Sequence, residues 1–336
     1  MKIIYYVTDH GLGHASRSVA LIRELIKHEK RIIIRSNDDY DFLKKSLPRL
    51  KIVKGQIDFG PVMSKNGMKI DLKRTEKKIA SWLNNLPKLI DKEQKFLRKE
   101  NPDLIISDIS IMPLIVAKKC NLKSVVISSF IWNETLPMNK KTKEFFKNCY
   151  QKSDLKIKLP FGSPMKLENV VEIGLVAKKI TSEKKEIRKK IGISSNKKLV
   201  IFAISGMKKA IKVKENIHLL DISNYSNLKK IKKKLDLVEG QNLINASDLV
   251  ICKCGYGFIS EILSTGTPFR YVFDSNHKEA AFIHKNLVKI GLKNRLSINS
   301  INSIMINEDF ISNSDSRKIV TVNNKIAKKI LQLVKK

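Results

Sequence analysis

Two short segments of the sequence combine glycine turns with side chains able to move a proton or hold a phosphate. The first, Thr8-Asp9-His10-Gly11-Leu12-Gly13-His14-Ala15-Ser16-Arg17, follows the apolar run Ile3-Ile4-Tyr5-Tyr6-Val7. Gly11 and Gly13 let the chain turn tightly and let a ligand approach the backbone. His14 then sits near a helix N-terminus, where a neutral imidazole can act as general base toward a hydroxyl. The plain alternative is a strand-to-helix turn with two surface histidines, since the third glycine of the dinucleotide fingerprint is missing. The second segment is Lys253-Cys254-Gly255-Tyr256-Gly257-Phe258-Ile259-Ser260-Glu261. Gly255 and Gly257 follow a strand and open a helix whose free amides can receive phosphate oxygens. Glu261, one turn into that helix, can accept hydrogen bonds from a ribose diol; a structural turn with a solvated Glu261 is its alternative.

Both segments need rigid elements behind them. Continuous apolar runs read as strands buried on both faces at Ile3–Val7, Arg31–Arg35, 104–107 and 124–128, with another from Lys51 to near Asp58. Helical spacing appears over Ser16–Lys27, Asp39–Ser46, Leu72–Glu100 and after Pro113. The second half repeats the theme, with strands at 198–203, 216–220, 249–251 and 268–273 and helices at 258–264 and 279–289. Strands separated by helices of this length form parallel, doubly wound sheets. The highly charged stretch 178–198 marks a domain junction. This divides the chain into 1–177, 178–322 and a helix over 323–336, whose apolar stripe (Ile326, Ile330, Leu331, Val334) can dock back on the first domain or lie on a membrane surface.

Length and composition agree with two packed domains: 336 residues, 42% of them hydrophobic, leave no room for wholesale disorder. The 66 basic residues, only 11 of them arginine, outnumber 32 acidic ones, for a net charge of +34. Such a charge attracts anionic membranes or polymers and says nothing about fold. Nucleic acid is not the expected partner, because aromatics are not interleaved with the lysines as in a stacking platform. Cys120, Cys149, Cys252 and Cys254 are too few for a disulfide framework and read as buried thiols in a reducing compartment. No stretch approaches a membrane span, and Met1–Val7 stops at Thr8-Asp9 without a cleavage site. The expected location is therefore the cytoplasm, with peripheral contact at the inner membrane face.

The order of these motifs resembles the two-domain GT-B glycosyltransferases, over most of the chain. The nearest branch is the one related to the peptidoglycan-precursor N-acetylglucosaminyltransferase and to the glycosyltransferase-like part of plant arabinokinases. The likeness runs through 10–17, Asp58-Phe59-Gly60-Pro61-Val62, Ser128-Ser129-Phe130-Ile131-Trp132-Asn133, Ala246-Ser247-Asp248-Leu249-Val250, 253–263 and Thr267-Pro268. It implies an α/β fold with two Rossmann-like domains facing each other across a cleft. It also implies transfer of a hexosyl or N-acetylhexosaminyl group from a nucleotide-diphosphate sugar, a UDP-sugar foremost, to an acceptor hydroxyl with inversion. His14 matches the family's base, and Asp108 would orient base or acceptor, its alternative being a helix cap. His10, Gly11, Gly13 and Trp132 would lie on the acceptor side, with Trp132 stacking on a sugar face or serving as an ordinary core residue. The donor would meet Ser205, Gly206, Gly255, Tyr256, Gly257, Ser260, Glu261 and Glu279. No cofactor and no metal is implied, and an anionic or lipid-linked acceptor suits the charge. The sequence departs from the pattern where the glycine-rich turn after the first strand of the second domain shrinks to Ser205-Gly206. It departs again where the usual acidic loop reads His277-Lys278-Glu279-Ala280-Ala281. No kinase-type glycine-serine loop follows, which excludes arabinokinase-like phosphotransfer within these residues. A catalytically silent module that binds a nucleotide or sugar phosphate is the competing reading.

Overall fold

A computed structural model gives the chain as two α/β units and describes residues 1–8, 10–64, 69–205, 211–223, 230, 231, 233, 235 and 237–335. Unit 1 contains residues 1–62, 70–176 and 321–335; unit 2 contains the described residues of 63–69 and 177–320.

Unit 1 is built on one parallel sheet. Its strands are β1 (Lys2–Tyr6), β2 (Arg31–Ser36), β3 (Lys51–Lys54), β4 (Leu104–Asp108), β5 (Lys123–Ser128), β6 (Leu155–Lys158) and β7 (Val170–Glu172), in the order β3-β2-β1-β4-β5-β6-β7. Ile3, Ile4, Tyr5 and Tyr6 are wholly buried because helices cover both faces of the sheet. Those helices are α1 (Leu12–Leu25), α2 (Tyr40–Ser46), α3 (Leu72–Glu100), α4 (Met112–Lys119), α5 (Trp132–Thr135) and α6 (Lys140–Gln151). The 29-residue α3 holds its place by burying Ile79, Trp82, Leu86, Ile90 and Leu97 on one stripe. The Asp71 side chain caps its start, and Asn101, in the left-handed region at φ 44°, ends it. The chain builds β2 and β3 on one side of β1, then crosses over through α3 to place β4 on the other. The strand order therefore reverses between β1 and β4, and a crevice opens beyond their carboxyl ends.

Unit 2 repeats that logic on a smaller sheet. Its elements are α7 (Lys184–Ile191), β8 (Lys198–Ala203), β9 (Lys212–Val213), β10 (Ile217–Asp221), α8 (Gln241–Ala246), β11 (Leu249–Lys253), α9 (Tyr256–Thr265), β12 (Phe269–Val272), α10 (Lys278–Lys289), β13 (Met305–Ile306) and α11 (Glu308–Ser312). The four-stranded parallel sheet runs β10-β8-β11-β12, so the order reverses between β8 and β11; β9 and β13 pair separately. A final helix, α12 (Asn323–Lys335), returns to unit 1. Its stripe of Ile326, Ala327, Ile330 and Leu331 is buried against α1 and β5, so the apolar face that sequence alone left open to a membrane is spent inside the protein.

Two boundaries differ from expectation in the same direction. The first helix begins at Leu12 rather than Ser16, and α9 begins at Tyr256 rather than Phe258. In both, a glycine of the turn lies inside the first helical turn, where no apolar periodicity announces a helix. The third strand stops at Lys54, well short of Asp58. Cys149, Cys252 and Cys254 are buried free thiols, whereas Cys120 is only half-buried. No helix among the described residues is long and apolar enough to cross a membrane.

Candidate functional site

In unit 1, the reversal of strand order brings the ends of β1 and β4 side by side, with Tyr6 opposite Ser107 in the register. Gly11, the N-cap of α1, sets the entry to the helix at φ 76°, a conformation that costs a residue with a Cβ roughly 1 kcal/mol or more. Gly13 and His14 then fall in the first turn of α1, and Asp108 is the last residue of β4. The His14 Nδ1 lies 2.8 Å from Asp108 Oδ1 although the two residues are 94 positions apart.

Arg17, one turn further along α1, completes the cluster. Its Nε donates to Asp108 Oδ2 at 2.9 Å, its Nη2 reaches Asp108 Oδ1, and the same Nη2 stands 2.7 Å from His14 Nδ1. Ser18 donates to Asp108 Oδ2 at 3.0 Å, while the hydroxyls of Ser128 and Ser129 accept from the guanidinium. His14, Arg17 and Asp108 are 6%, 3% and 0% exposed, so this is a charge cluster removed from water. Burial alone would push the Asp108 carboxyl up, but the Arg17 guanidinium and the His14 imidazole outweigh it and hold the group well below the ordinary carboxylate range. Two proton arrangements satisfy the atoms. With a proton on Nδ1, His14 donates to Asp108 and keeps its lone pair on Nε2. With the proton on Nε2, Nδ1 accepts from Arg17.

The backbone at Asp108 is shaped to match. Ile109, wholly buried and β-branched, has φ 63°, a conformation that costs on the order of 1–3 kcal/mol. Its carbonyl accepts from the Tyr150 hydroxyl at 2.8 Å, and Ser110 N–H turns back to the Asp108 carbonyl. The strained step bends the chain away as soon as Asp108 has left the sheet. Behind the serines the packing is equally close: a Cβ on Gly162 would lie 1.5 Å from the Ser129 carbonyl oxygen, a backbone atom with little freedom to yield. Gly162→Ala is therefore expected to lower stability by about 1–3 kcal/mol or more, read as a fall in the thermal midpoint; an unchanged midpoint would show that Ser129 can give way.

Trp132 requires a correction. It is 1% exposed and cannot offer a face to a sugar. Its Nε1–H donates to Asp58 Oδ2 at 2.9 Å, and Thr8 donates to the same oxygen. Its ring packs edge-on to His10 at 5.7 Å and lies 6.4 Å from His14. It thus supports the two imidazoles from below, with the half-buried His10 nearer the surface.

In unit 2 the corresponding crevice lies beyond β8 and β11. Ser205 follows β8, Lys253 ends β11, and the Lys253 ammonium donates to Ser205 Oγ at 2.9 Å. Burial lowers the Lys253 pKa from its ordinary value. Gly255 is the N-cap of α9 and supplies no side-chain cap, and the space where its Cβ would stand is open. An anion can therefore approach the first amides of this helix closely. Tyr256 is buried at the helix start, Gly257 lies in its first turn, and Ser260 turns its hydroxyl back to the Gly257 carbonyl. Cys254 Sγ sits 3.6 Å from the Ala280 carbonyl, tying the glycine turn to the first turn of α10, where Glu279 is half-buried. Glu261 is not solvated: Lys178 Nζ lies 3.0 Å from its Oε1, and both side chains are buried. Gly206 lies outside the described residues.

Sequence reasoning thus placed His14 and Asp108 in one cluster but missed Arg17, Asp58, Lys178 and Lys253. Arg17 ended a segment already singled out, three residues past His14 on one helical face. Lys253 was lost among lysines distributed along the whole chain, though its place at a strand end before Gly255 is the signal that marks it.

The profile of the family described as Glycosyl transferase family 1 matches residues 1–181. The L-arabinokinase of Arabidopsis thaliana is 26% identical over 309 residues, which cover 84% of this chain but only 29% of that protein. An uncharacterized glycosyltransferase of Methanosarcina acetivorans is 26% identical over 323 residues, covering 83% of this chain and 81% of that one. Among solved structures, spinosyn forosaminyltransferase SpnP superimposes with a TM-score of 0.62 over 100% of both chains at 10% identity. The calicheamicin glycosyltransferase CalG4 gives 0.58 at 13% identity, over 99% of this chain and 94% of that one. Arabidopsis thaliana UGT89C1 complexed with UDP-L-rhamnose gives 0.57 at 11% identity, over 99% and 92%. At these identities the structures establish the fold, two Rossmann-like domains of the GT-B type.

Proposed function

This chain belongs to glycosyl transferase family 1 and is a glycosyltransferase, and from that premise we propose that it moves a sugar from a nucleotide-diphosphate donor to an acceptor hydroxyl with inversion. The observation that carries the proposal is the His14–Asp108 pair at the crevice of unit 1. Asp108, kept ionised, accepts from His14 Nδ1–H, which leaves the Nε2 lone pair to take the acceptor's proton as its oxygen attacks the anomeric carbon. Charge develops on the departing diphosphate, and Lys253 with the uncapped amides of α9 supplies a cation and oriented dipoles for it. A UDP-sugar is the donor we favour, with a hexosyl or N-acetylhexosaminyl group, and the scheme draws on no cofactor or metal.

Glu261 is the ribose-binding residue in this reading, and Lys178 then does more than neutralise it. The ammonium holds the carboxylate oriented before the nucleotide arrives, so little side-chain ordering remains to be done on binding.

A thermal-shift screen of nucleoside diphosphates and their sugars separates donor classes, since a ligand at 100 times its Kd stabilises by about 2.7 kcal/mol. Titration calorimetry with the best nucleotide then tests the residue. Glu261→Gln, which keeps shape and removes charge, is expected to weaken binding by about 1–3 kcal/mol, roughly 5- to 150-fold. Unchanged affinity would remove Glu261 from the donor site. Binding without turnover on any acceptor would favour the silent module.

A further inference from the structure

Away from the His14 cluster, unit 1 has a second concavity that the transfer chemistry does not use. It lies between α3, α4 and α6 and encloses about 660 Å³. Its floor is hydrocarbon: Leu83 and Pro87 from α3, Ile115 from α4 and Phe145 from α6, the last of these 40% exposed. Its rim is cationic, with Lys118 and Lys119 at the end of α4, Lys141 in the first turn of α6 and Lys152 just past its end. No acidic side chain lines it, and Thr142 supplies its one neutral polar side chain.

From this arrangement we propose that the groove is the site at which the protein docks on an anionic lipid bilayer, an acyl chain or its equivalent filling the floor while the rim lysines meet headgroup phosphates. Three observations select this occupant. The floor offers almost nothing to hydrogen-bond with, so an extended peptide laid on it would bury amide groups without partners, whereas hydrocarbon requires none. The charge is concentrated here: α3, α4 and α6 carry 15 basic and 5 acidic residues, +10 of the chain's +34 in three helices. All four rim cations are lysines rather than arginines. Lysine acts as a mobile point charge suited to a field of headgroups, not as a planar fork suited to one carboxylate. Phe145 adds an exposed ring at the lip, able to enter the interfacial layer.

The proposal stands apart from the transfer reading, because vesicle binding needs neither donor nor acceptor. The test is co-sedimentation of the full chain with vesicles of phosphatidylcholine alone and of phosphatidylcholine with phosphatidylglycerol, at matched ionic strength. Wild type should bind the anionic vesicles, ignore the neutral ones and be released by salt. The combined replacements Lys118→Glu, Lys119→Glu and Lys152→Glu, all at exposed positions, should weaken binding about 100-fold or more. Phe145→Ser should weaken it about 10-fold, with an unchanged thermal midpoint in each variant. Reversal of three exposed lysines of unit 2, Lys185→Glu, Lys189→Glu and Lys289→Glu, should cost far less. If that control weakens binding as much as the rim triple, the attraction is diffuse charge and the proposal fails. It fails equally if Phe145→Ser binds like wild type, or if polyglutamate at the same ionic strength displaces the protein and its hold depends on Phe145, which would assign the groove to an acidic peptide.

Discussion

His14→Ala is expected to slow turnover by about 100-fold or more while leaving donor affinity nearly intact. The asymmetry follows from where the groups stand. His14 lies in the first turn of α1 in unit 1, whereas Lys253, Gly255 and Glu261, which we assign to the donor, all belong to unit 2. Only Nε2 is free to reach an acceptor when Nδ1–H is given to Asp108, so no other atom of the cluster can replace it as base. The measurement is kcat with the donor found by screening, beside calorimetric Kd for the nucleotide alone. Equal kcat in wild type and variant would remove His14 from the chemistry and turn attention to His10, which lies 6.0 Å away ring to ring.

Asp108→Ala should act on stability as well as on rate. It removes the carboxylate that neutralises the Arg17 guanidinium, 3% exposed and beside the His14 ring and two serine hydroxyls. Taking one partner from a buried ion pair costs about 3–5 kcal/mol, a large fraction of the roughly 5–15 kcal/mol that holds a protein folded. Thermal or denaturant melts will show it. The double replacement Arg17→Met with Asp108→Leu should recover most of that stability, since neither charge is then left alone, yet should not recover turnover. Restored turnover in the double variant would mean that the carboxylate is a structural group only. The same pairing sets a pH dependence. The Asp108 carboxyl is depressed in the folded state, so its contribution is present above the unfolded value of about 3.9 and is lost as pH falls through the folded one.

How much of this could be read from residues alone depended on the range of the interaction concerned. The central strands were legible because continuous apolar runs such as Ile3–Val7 have one stable fate, burial within a parallel sheet. The outer strands β6 and β7 were not, since LKIK and VVE are too short to show a pattern and VVE, at the edge, has no fully buried residue. The glycine turns were visible as turns, but the helix starts at Leu12 and Tyr256 were not, because Gly13 and Gly257 within those first turns read as part of the turn. His14 and Asp108 were each legible from their place at strand ends. That they share a carboxylate with Arg17 depends on the crossover through α3, which no local pattern encodes. Residue type alone leaves Trp132 between stacking on a sugar and packing in the core. The buried Asp58 carboxylate, 74 positions away, is what gives its indole N–H a reason to turn inward.

The return of residues 321–335 to unit 1 has a consequence for how the chain is made. Synthesis delivers residues 177–320, nearly all of unit 2, between the bulk of unit 1 and the helix that completes it. At ribosomal rates of about 5–20 residues per second, α1 waits roughly fifteen to sixty seconds with the surface meant for Ile326 and Ile330 uncovered. During that interval the intervening unit can fold on its own sheet, while the first remains an open, adhesive surface in need of protection. A ribosome stalled inside the region encoding α12 would therefore release a chain whose second unit is sound and whose first is aggregation-prone.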